Sequence, residues 1–229
     1  VKGKSSKADP KKKRILIVDD HPMMRDGLRL LIANEPDLEV VAEADDACQA
    51  LNEAEKLKPD IAIVDITLRS SNGLDLIKDL QIRSPGTSVL VLSMHDESLY
   101  AERVLRAGGR GYIMKQEGGK RIIEGVRQVA AGHTFVSPAV SARILDSFSG
   151  RHRGEASAVT QLTDREFEVF QLIGQGLSTK EMADKLRVSV KTVEVHRVNI
   201  KQKLNIPTAP ELIRYAVRWI ESQGAQRAL

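Results

Sequence analysis

Five short apolar runs, at residues 15–18, 38–42, 61–64, 89–92 and 111–114, alternate with segments of helical periodicity between residue 15 and about residue 132. No other feature constrains the fold as much. A run of four or five residues rich in Ile, Val and Leu, bounded by turn formers, reads as a strand buried on both faces. The segments between the runs carry apolar stripes. Met24, Leu28, Leu31 and Ile32 repeat at i, i+4, i+7 and i+8 behind Pro22, a residue suited to a first helical turn. Ile122, Ile123, Val126, Val129 and Ala130 make a similar stripe in the last segment. Five strand–helix units predict a parallel sheet covered by helices on both sides.

The residues that follow the runs carry the chemistry. Asp19 and Asp20 follow the first, Asp65 the third, Ser93 the fourth and Lys115 the fifth. In a parallel sheet these ends share one edge, where α/β folds place their ligands. Three carboxylates at one site repel unless a cation neutralises them, and hard oxygen ligands with room for water favour Mg²⁺. A carboxylate so neutralised and facing an ammonium can accept a phosphoryl group as an acyl phosphate. The metal and Lys115 would offset charge on the phosphoryl oxygens, and Ser93 could donate a hydrogen bond to one of them.

Composition narrows the class. The chain has 229 residues, enough for two ordinary domains, and a single cysteine, Cys48, which excludes an intrachain disulfide and fits a reducing cytoplasm. No apolar run approaches the ~18–20 residues of a membrane span. Charge is divided unevenly. Residues 15–132 hold 20 acidic against 14 basic side chains, whereas residues 160–229 hold 11 basic against 8 acidic. The halves therefore suit different partners, the second compatible with nucleic acid. The first 13 residues, rich in Lys with Gly, Ser and Pro between, read as a disordered basic tail.

Residues 133–159 read as a linker. Ser137-Pro138 can start a short helix carrying Val140, Ile144 and Leu145, and residues 147–158, rich in Ser, Gly and charge, read as flexible. Helical signals then resume. Thr163…Glu166, Ser178…Glu181 and Thr208…Glu211 each have capping-box spacing, and Ser189 precedes Val190. These starts give four helices in residues 160–229. A short helix with Met182, Ala183 and Leu186, a tight turn at Arg187-Val188-Ser189 and a longer helix from about 190 to 204 match a helix-turn-helix. In the longer helix Val193, Ile200 and Leu204 form the buried stripe; Lys191, Glu194, Val195, Val198 and Lys201 lie on another face. Lys191 and Lys201, at the two ends of that face, fit phosphate contacts, as do Thr179 and Lys180 at the preceding helix N-terminus.

The pattern Asp19-Asp20, Asp65, Ser93 and Lys115 resembles the site of a two-component receiver domain, over about residues 14–132. The resemblance implies a flavodoxin-like α/β fold with a five-stranded parallel sheet of order 2-1-3-4-5. It implies Mg²⁺ held by Asp19, Asp20, Asp65 and the Thr67 backbone carbonyl, Asp65 as phosphoacceptor, and Tyr112 as an aromatic switch acting with Ser93 and Lys115. Leu68-Arg69 stand where the family usually has Met-Pro, and Gln116 where a proline often follows the lysine. Leu162-Thr163-Asp164-Arg165-Glu166, residues 176–181 and Thr192-Val193-Glu194-Val195-His196 resemble a LuxR-type DNA-binding domain, all-α with four helices. That match implies DNA-facing positions at Lys191, Glu194, Val195 and Val198.

Together they imply a response regulator of the NarL/FixJ type. The expected partners are a sensor histidine kinase, double-stranded DNA bound as a homodimer, and RNA polymerase. The last helix, with Leu212, Tyr215, Ala216 and Trp219, offers either a dimer face or core. Two rival readings are a receiver whose helical domain binds protein, and an aspartate-nucleophile phosphohydrolase. The second needs a general-acid aspartate two residues after Asp65, where Thr67 stands, so a non-enzymatic regulator is expected.

Overall fold

The structure is a computed structural model that describes residues 12–68, 72–148, 156–159 and 161–225. The basic tail up to residue 11, Arg69 and residues 149–155 of the expected flexible stretch lie outside the described residues. The chain divides into two compact units between Leu145 and Asp146.

The first unit is a parallel sheet of order β2-β1-β3-β4-β5. Its strands are β1 (Lys13–Val18), β2 (Leu38–Ala44), β3 (Ile61–Val64), β4 (Ser88–Ser93) and β5 (Gly111–Met114). The helices between them are α1 (Pro22–Ala33), α2 (Ala47–Leu57), α3 (Gly73–Arg83) and α4 (Glu97–Arg106), and α5 (Gly119–Ala130) follows β5. All four residues of β3 are buried, as a central strand under helices on both faces requires. Edge strand β2 runs two residues past the apolar run that announced it, because Glu43 and Ala44 keep pairing with Ile17 and Val18. An edge strand tolerates a glutamate that a central strand would not.

Register positions the chemistry. Val18 pairs with Val64, Val64 with Val91, and Val91 with Tyr112. Asp19 and Asp65 are therefore neighbours one residue beyond paired strand ends. Lys115 starts two strands away. With strands about 4.8 Å apart, its end of the sheet lies roughly 10 Å from β3, a gap that a long aliphatic stem can cross.

The chain does not leave this unit at the end of α5. Phe135 pairs in parallel with Gly111, and α6 (Pro138–Phe148) follows. Val140 of α6 is buried whereas Leu145 is 68% exposed.

The second unit comprises α7 (Ala156–Val159), α8 (Asp164–Gly174), α9 (Thr179–Leu186), α10 (Val190–Lys203) and α11 (Ala209–Ala225). The capping boxes at Thr163 and Ser178 are formed in both directions. At the third start Glu211 instead accepts from the Thr208 hydroxyl at 2.9 Å. Arg187 takes a left-handed φ of 52° to make the turn between α9 and α10. Leu204 caps α10 and is only half-buried, while Val193 and Ile200 are fully buried. Phe167 and Phe170 meet the Trp219 ring edge-on at 5.7 and 5.5 Å, and Leu212 and Ala216 have no exposure. A Cβ on Gly174 would lie 2.7 Å from the Ala216 carbonyl, so glycine sets the approach of α8 to α11. Of the two roles open to α11, this face is core, while Ile213 stands 41% exposed on the other side.

Candidate functional site

At the C-terminal edge of the sheet, Asp19, Asp20 and Asp65 are all buried. The Lys115 ammonium donates to Asp19 Oδ2 and to Asp65 Oδ2, both at 2.7 Å. Backbone amides hold the remaining geometry. The Thr67 amide donates to Asp65 Oδ1 at 3.1 Å, and the His21 amide to Asp19 Oδ1 at 2.9 Å.

Burial pushes the Asp65 carboxyl above its ordinary range, and the ammonium of Lys115 only partly offsets this. Burial would lower Lys115, but its bonds to Asp19 and Asp65 reverse the sign and raise it. The site is thus a tight acid–ammonium cluster in which one cation faces three carboxylates.

The residues fit a divalent metal. One ligand atom from each of Asp19, Asp20, His21 and Asp65 can be chosen so that all lie within 4.8 Å of one another. Metal–oxygen distances of ~2.1 Å put opposite ligands of an octahedral ion about 4.2 Å apart, so these atoms would draw in by a few tenths of an ångström around one. His21 escaped the sequence reading. Its Nδ1 lies 2.8 Å from Asp20 Oδ1 and 3.2 Å from Asp19 Oδ1. Its place directly after the two aspartates was the available signal.

Two of the expected switch residues, Ser93 and Tyr112, meet at His95, which was also missed, whereas Lys115 bonds Asp19 and Asp65. Ser93 Oγ accepts from the His95 amide at 3.1 Å, and the Tyr112 hydroxyl donates to the His95 carbonyl at 2.9 Å. The His95 ring hydrogen-bonds the Thr67 hydroxyl at 3.1 Å and stacks on Tyr100 at 4.7 Å. Tyr112 is 1% exposed, so the ring already points inward in this structure, and burial raises its hydroxyl pKa.

On α10, Lys191, Glu194, Val195 and Val198 are exposed and Lys201 is half-exposed. Val195 and Val198 stand 51% and 47% exposed, an apolar surface the core does not use. Lys180 is exposed on the first turn of α9. Thr179 Oγ1 beside it accepts from the Arg197 guanidinium at 3.1 Å, which adds a cation between α9 and α10 that the sequence reading left out. Behind this face, the Lys203 ammonium reaches the Glu166 carboxylate at 2.6 Å and ties α10 to the start of α8.

The response regulator receiver domain model matches residues 15–127, and the model described as bacterial regulatory proteins, luxR family, matches residues 160–216. The chain is 35% identical over 210 residues to the oxygen regulatory protein NreC of Staphylococcus carnosus (strain TM300), across 90% of this chain and 97% of that one. It is similar to RcsB from Salmonella enterica serovar Typhimurium, solved bound to promoter P1flhDC in the presence of the phosphomimetic BeF3⁻. There the identity is 26% and the TM-score 0.62, over 90% of this chain and 98% of that chain. A second RcsB structure, of two dimers bound to two parallel DNAs, has a TM-score of 0.55 at 26% identity, with 90% and 98% covered. With both domain models matched and near-complete coverage of NreC, the chain belongs to the NarL/FixJ-type response regulators, which join a receiver domain to a LuxR-type helix-turn-helix domain.

Proposed function

We propose that the chain is a two-component transcription regulator that takes a phosphoryl group on Asp65 from a sensor histidine kinase and binds double-stranded DNA as a homodimer through α10. Residues 14–132 are the phosphorylated module in this reading, and residues 160–229 the DNA-binding one. The observation that carries it is the Lys115 ammonium held 2.7 Å from both Asp19 and Asp65, inside a ring of buried carboxylates. In the transfer, a carboxylate oxygen of Asp65 attacks phosphorus, the bond from phosphorus to the donor's leaving atom breaks, and that atom departs with its electron pair. Lys115 stays close enough to pair with the phosphoryl oxygens, and Ser93 turns its hydroxyl toward one of them.

Asp19, Asp20, Asp65 and the Thr67 backbone carbonyl would hold Mg²⁺. When bound, the ion neutralises the carboxylates and the incoming phosphoryl charge. His21 stands beside this set.

On the DNA side, α10 enters the major groove with its N-terminal half toward the bases. Val195 and Val198 meet thymine methyls and Glu194 accepts from a cytosine amino group. Lys191, Lys201, Thr179 and Lys180 meet phosphates. The regulator works in the cytoplasm and acts on RNA polymerase at its promoters; among the described residues no helix is long and apolar enough to cross a membrane.

A gel shift on the full chain, with and without a small acyl-phosphate donor and Mg²⁺, tests the reading. The expected result is a shift that the donor strengthens and that Asp65→Ala makes indifferent to the donor. No shift on any DNA would leave the second domain as a protein-binding module.

A further inference from the structure

The segment after α5 is more than a connection. Phe135 donates its amide to the Arg110 carbonyl at 2.9 Å and accepts from the Tyr112 amide at 2.8 Å, so it extends the sheet beyond β5. Its ring is 7% exposed and lies under the Arg121 guanidinium, 4.2 Å from the ring centroid. The room for that ring comes from Gly125, where a Cβ would stand 2.9 Å from it. Two residues on, the Ser137 amide donates to the Glu97 carboxylate at 2.6 Å, and Glu97 is 8% exposed. The Arg143 guanidinium then donates to the Ser98 carbonyl. The start of α4 thus grips residues 137–143 by one buried charge and one carbonyl.

Both holds lead back to the acidic site. Tyr112, whose amide holds Phe135, sends its hydroxyl to the His95 carbonyl. Glu97, which holds Ser137, is two residues beyond His95, whose amide rests on Ser93 Oγ. Ser93 is therefore the origin of two short paths, through Tyr112 and through residues 95–97, that end on the same strap.

We propose that residues 134–143 are the receiver's output strap, clamped while the Ser93 oxygen holds the His95 amide and loosened when Ser93 turns toward a phosphoryl group on Asp65. The inference rests on Asp65 being the phosphoacceptor. It adds that the signal is delivered first to the chain's own continuation toward the second unit. A buried hydrogen bond to a carboxylate contributes enough that weakening it speeds local opening by about tenfold or more.

The test is amide exchange of the full chain, read by mass spectrometry on peptides covering residues 133–143, in Mg²⁺ alone and in Mg²⁺ with beryllium fluoride. A bound-fluoride signal in ¹⁹F NMR that Asp65→Asn abolishes reports the site separately. The strap should exchange about tenfold faster with the phosphomimetic. Ser93→Ala, which removes the acceptor of the His95 amide, should speed it without any ligand, and so should Glu97→Gln to a smaller degree. Bound fluoride with unchanged or slower strap exchange overturns the strap. If no fluoride binds, the Asp65 reading has failed, and the Ser93→Ala protein still decides whether the coupling exists: unchanged strap exchange in that variant overturns it.

Discussion

The Asp19, Asp65 and Lys115 side chains are 2%, 4% and 5% exposed; those carried by α10 at Val195 and Val198 leave about half their surface in water. In the receiver unit Asp19, Asp65 and Lys115 already have partners supplied by the fold, and the strand register decides who meets whom. On α10 the fold supplies only a platform. Glu166 and Lys203 anchor the helix from behind, and Lys191, Glu194, Val195 and Val198 stand exposed on its outward face. Substitutions should therefore act differently in the two regions. In the first they should disturb stability, metal affinity and chemistry together. In the second they should change affinity or preference for DNA and leave the fold intact.

The largest effect is expected at Asp65. Asp65→Ala should abolish phosphoryl uptake from an acyl-phosphate donor, and chelating divalent cations should do the same to the parent chain. Phosphate-affinity gels read both. Asp20→Ala should keep some uptake but require more Mg²⁺. If Asp65→Ala labelled fully, another residue would be the acceptor and the comparison would lose its first term.

Lys115→Met keeps the stem and removes the ammonium, leaving Asp19 and Asp65 buried with no ammonium between them. Removing one partner of a buried pair costs about 3–5 kcal/mol, here without added Mg²⁺ at neutral pH. Mg²⁺ should restore much of that, so the urea midpoint of the variant should rise with Mg²⁺ far more than the parent's. The raised pKa of Lys115 fixes the sign for the parent: its contribution is complete below its ordinary pKa of 10.5 and is lost as pH rises through the higher folded value. A variant as stable as the parent in chelator would show that the cluster stores no electrostatic tension.

How much of this was legible follows the same division. The β3 run, and the five positions at strand ends, were readable because burial of a parallel strand and the common edge are rules of local pattern and topology. The capping boxes at Thr163 and Ser178 were readable because they span three residues. Thr67 with His95, and Ser137 with Glu97, are 28 and 40 residues apart. No local periodicity announces such pairs; they exist only once strands and loops are placed. The segment after α5 read as linker because Ser137, Pro138 and the later Ser and Gly dominate its composition. Val140 of the short helix expected there is buried, and so is Phe135, a lone aromatic with no periodic partner to announce it. For α11 the stripe Leu212, Ala216 and Trp219 was visible, but not that Phe167 and Phe170 would need it as cover.

The anchor behind the outward face of α10 gives the next prediction. Glu166 accepts from Lys203 and from the Thr163 amide at 2.6 and 2.8 Å. Burial would raise its pKa, but these bonds outweigh burial and hold it below its ordinary value. Glu166→Ala should cost the second unit roughly 2–3 kcal/mol, as expected for losing charge-assisted bonds together with half a capping box. Because the folded pKa is lowered, the parent's advantage is complete above pH 4.5, the ordinary value, and disappears as pH falls through the lower folded one. Denaturation of the full chain followed at Trp219 reads this, since Trp219 is the chain's single tryptophan. Equal loss at Lys115→Met in the same signal would mean that the two units do not unfold separately.

The smallest effects, and the sharpest test of the comparison, belong to the outward face of α10. Lys201 is half-exposed in its last turn and can lose its ammonium without leaving any buried group unpaired. Lys201→Ala should therefore leave thermal stability within about 0.5 kcal/mol of the parent. It should weaken binding to every DNA sequence about equally, and it should reduce the slope of log affinity against log salt by about one. Glu194 is different in kind. A carboxylate brings no attraction to a polyanion, so at the proposed groove-facing position it would need a specific acceptor role to offset the repulsion. If it accepts from a cytosine amino group, Glu194→Ala should change preference at one base pair in each half-site by roughly 1–3 kcal/mol. Affinity for unrelated sequences should rise slightly, because a repulsive charge is gone. Site selection from a random DNA pool, run side by side on parent and variant, separates these cases. The same consensus from both proteins would remove Glu194 from the reading set and leave Val195 and Val198 as the only base contacts proposed on this face. A lost consensus together with a lowered melting point would show instead that the outward face of α10 is tied to the fold, and the contrast with the receiver site would fail.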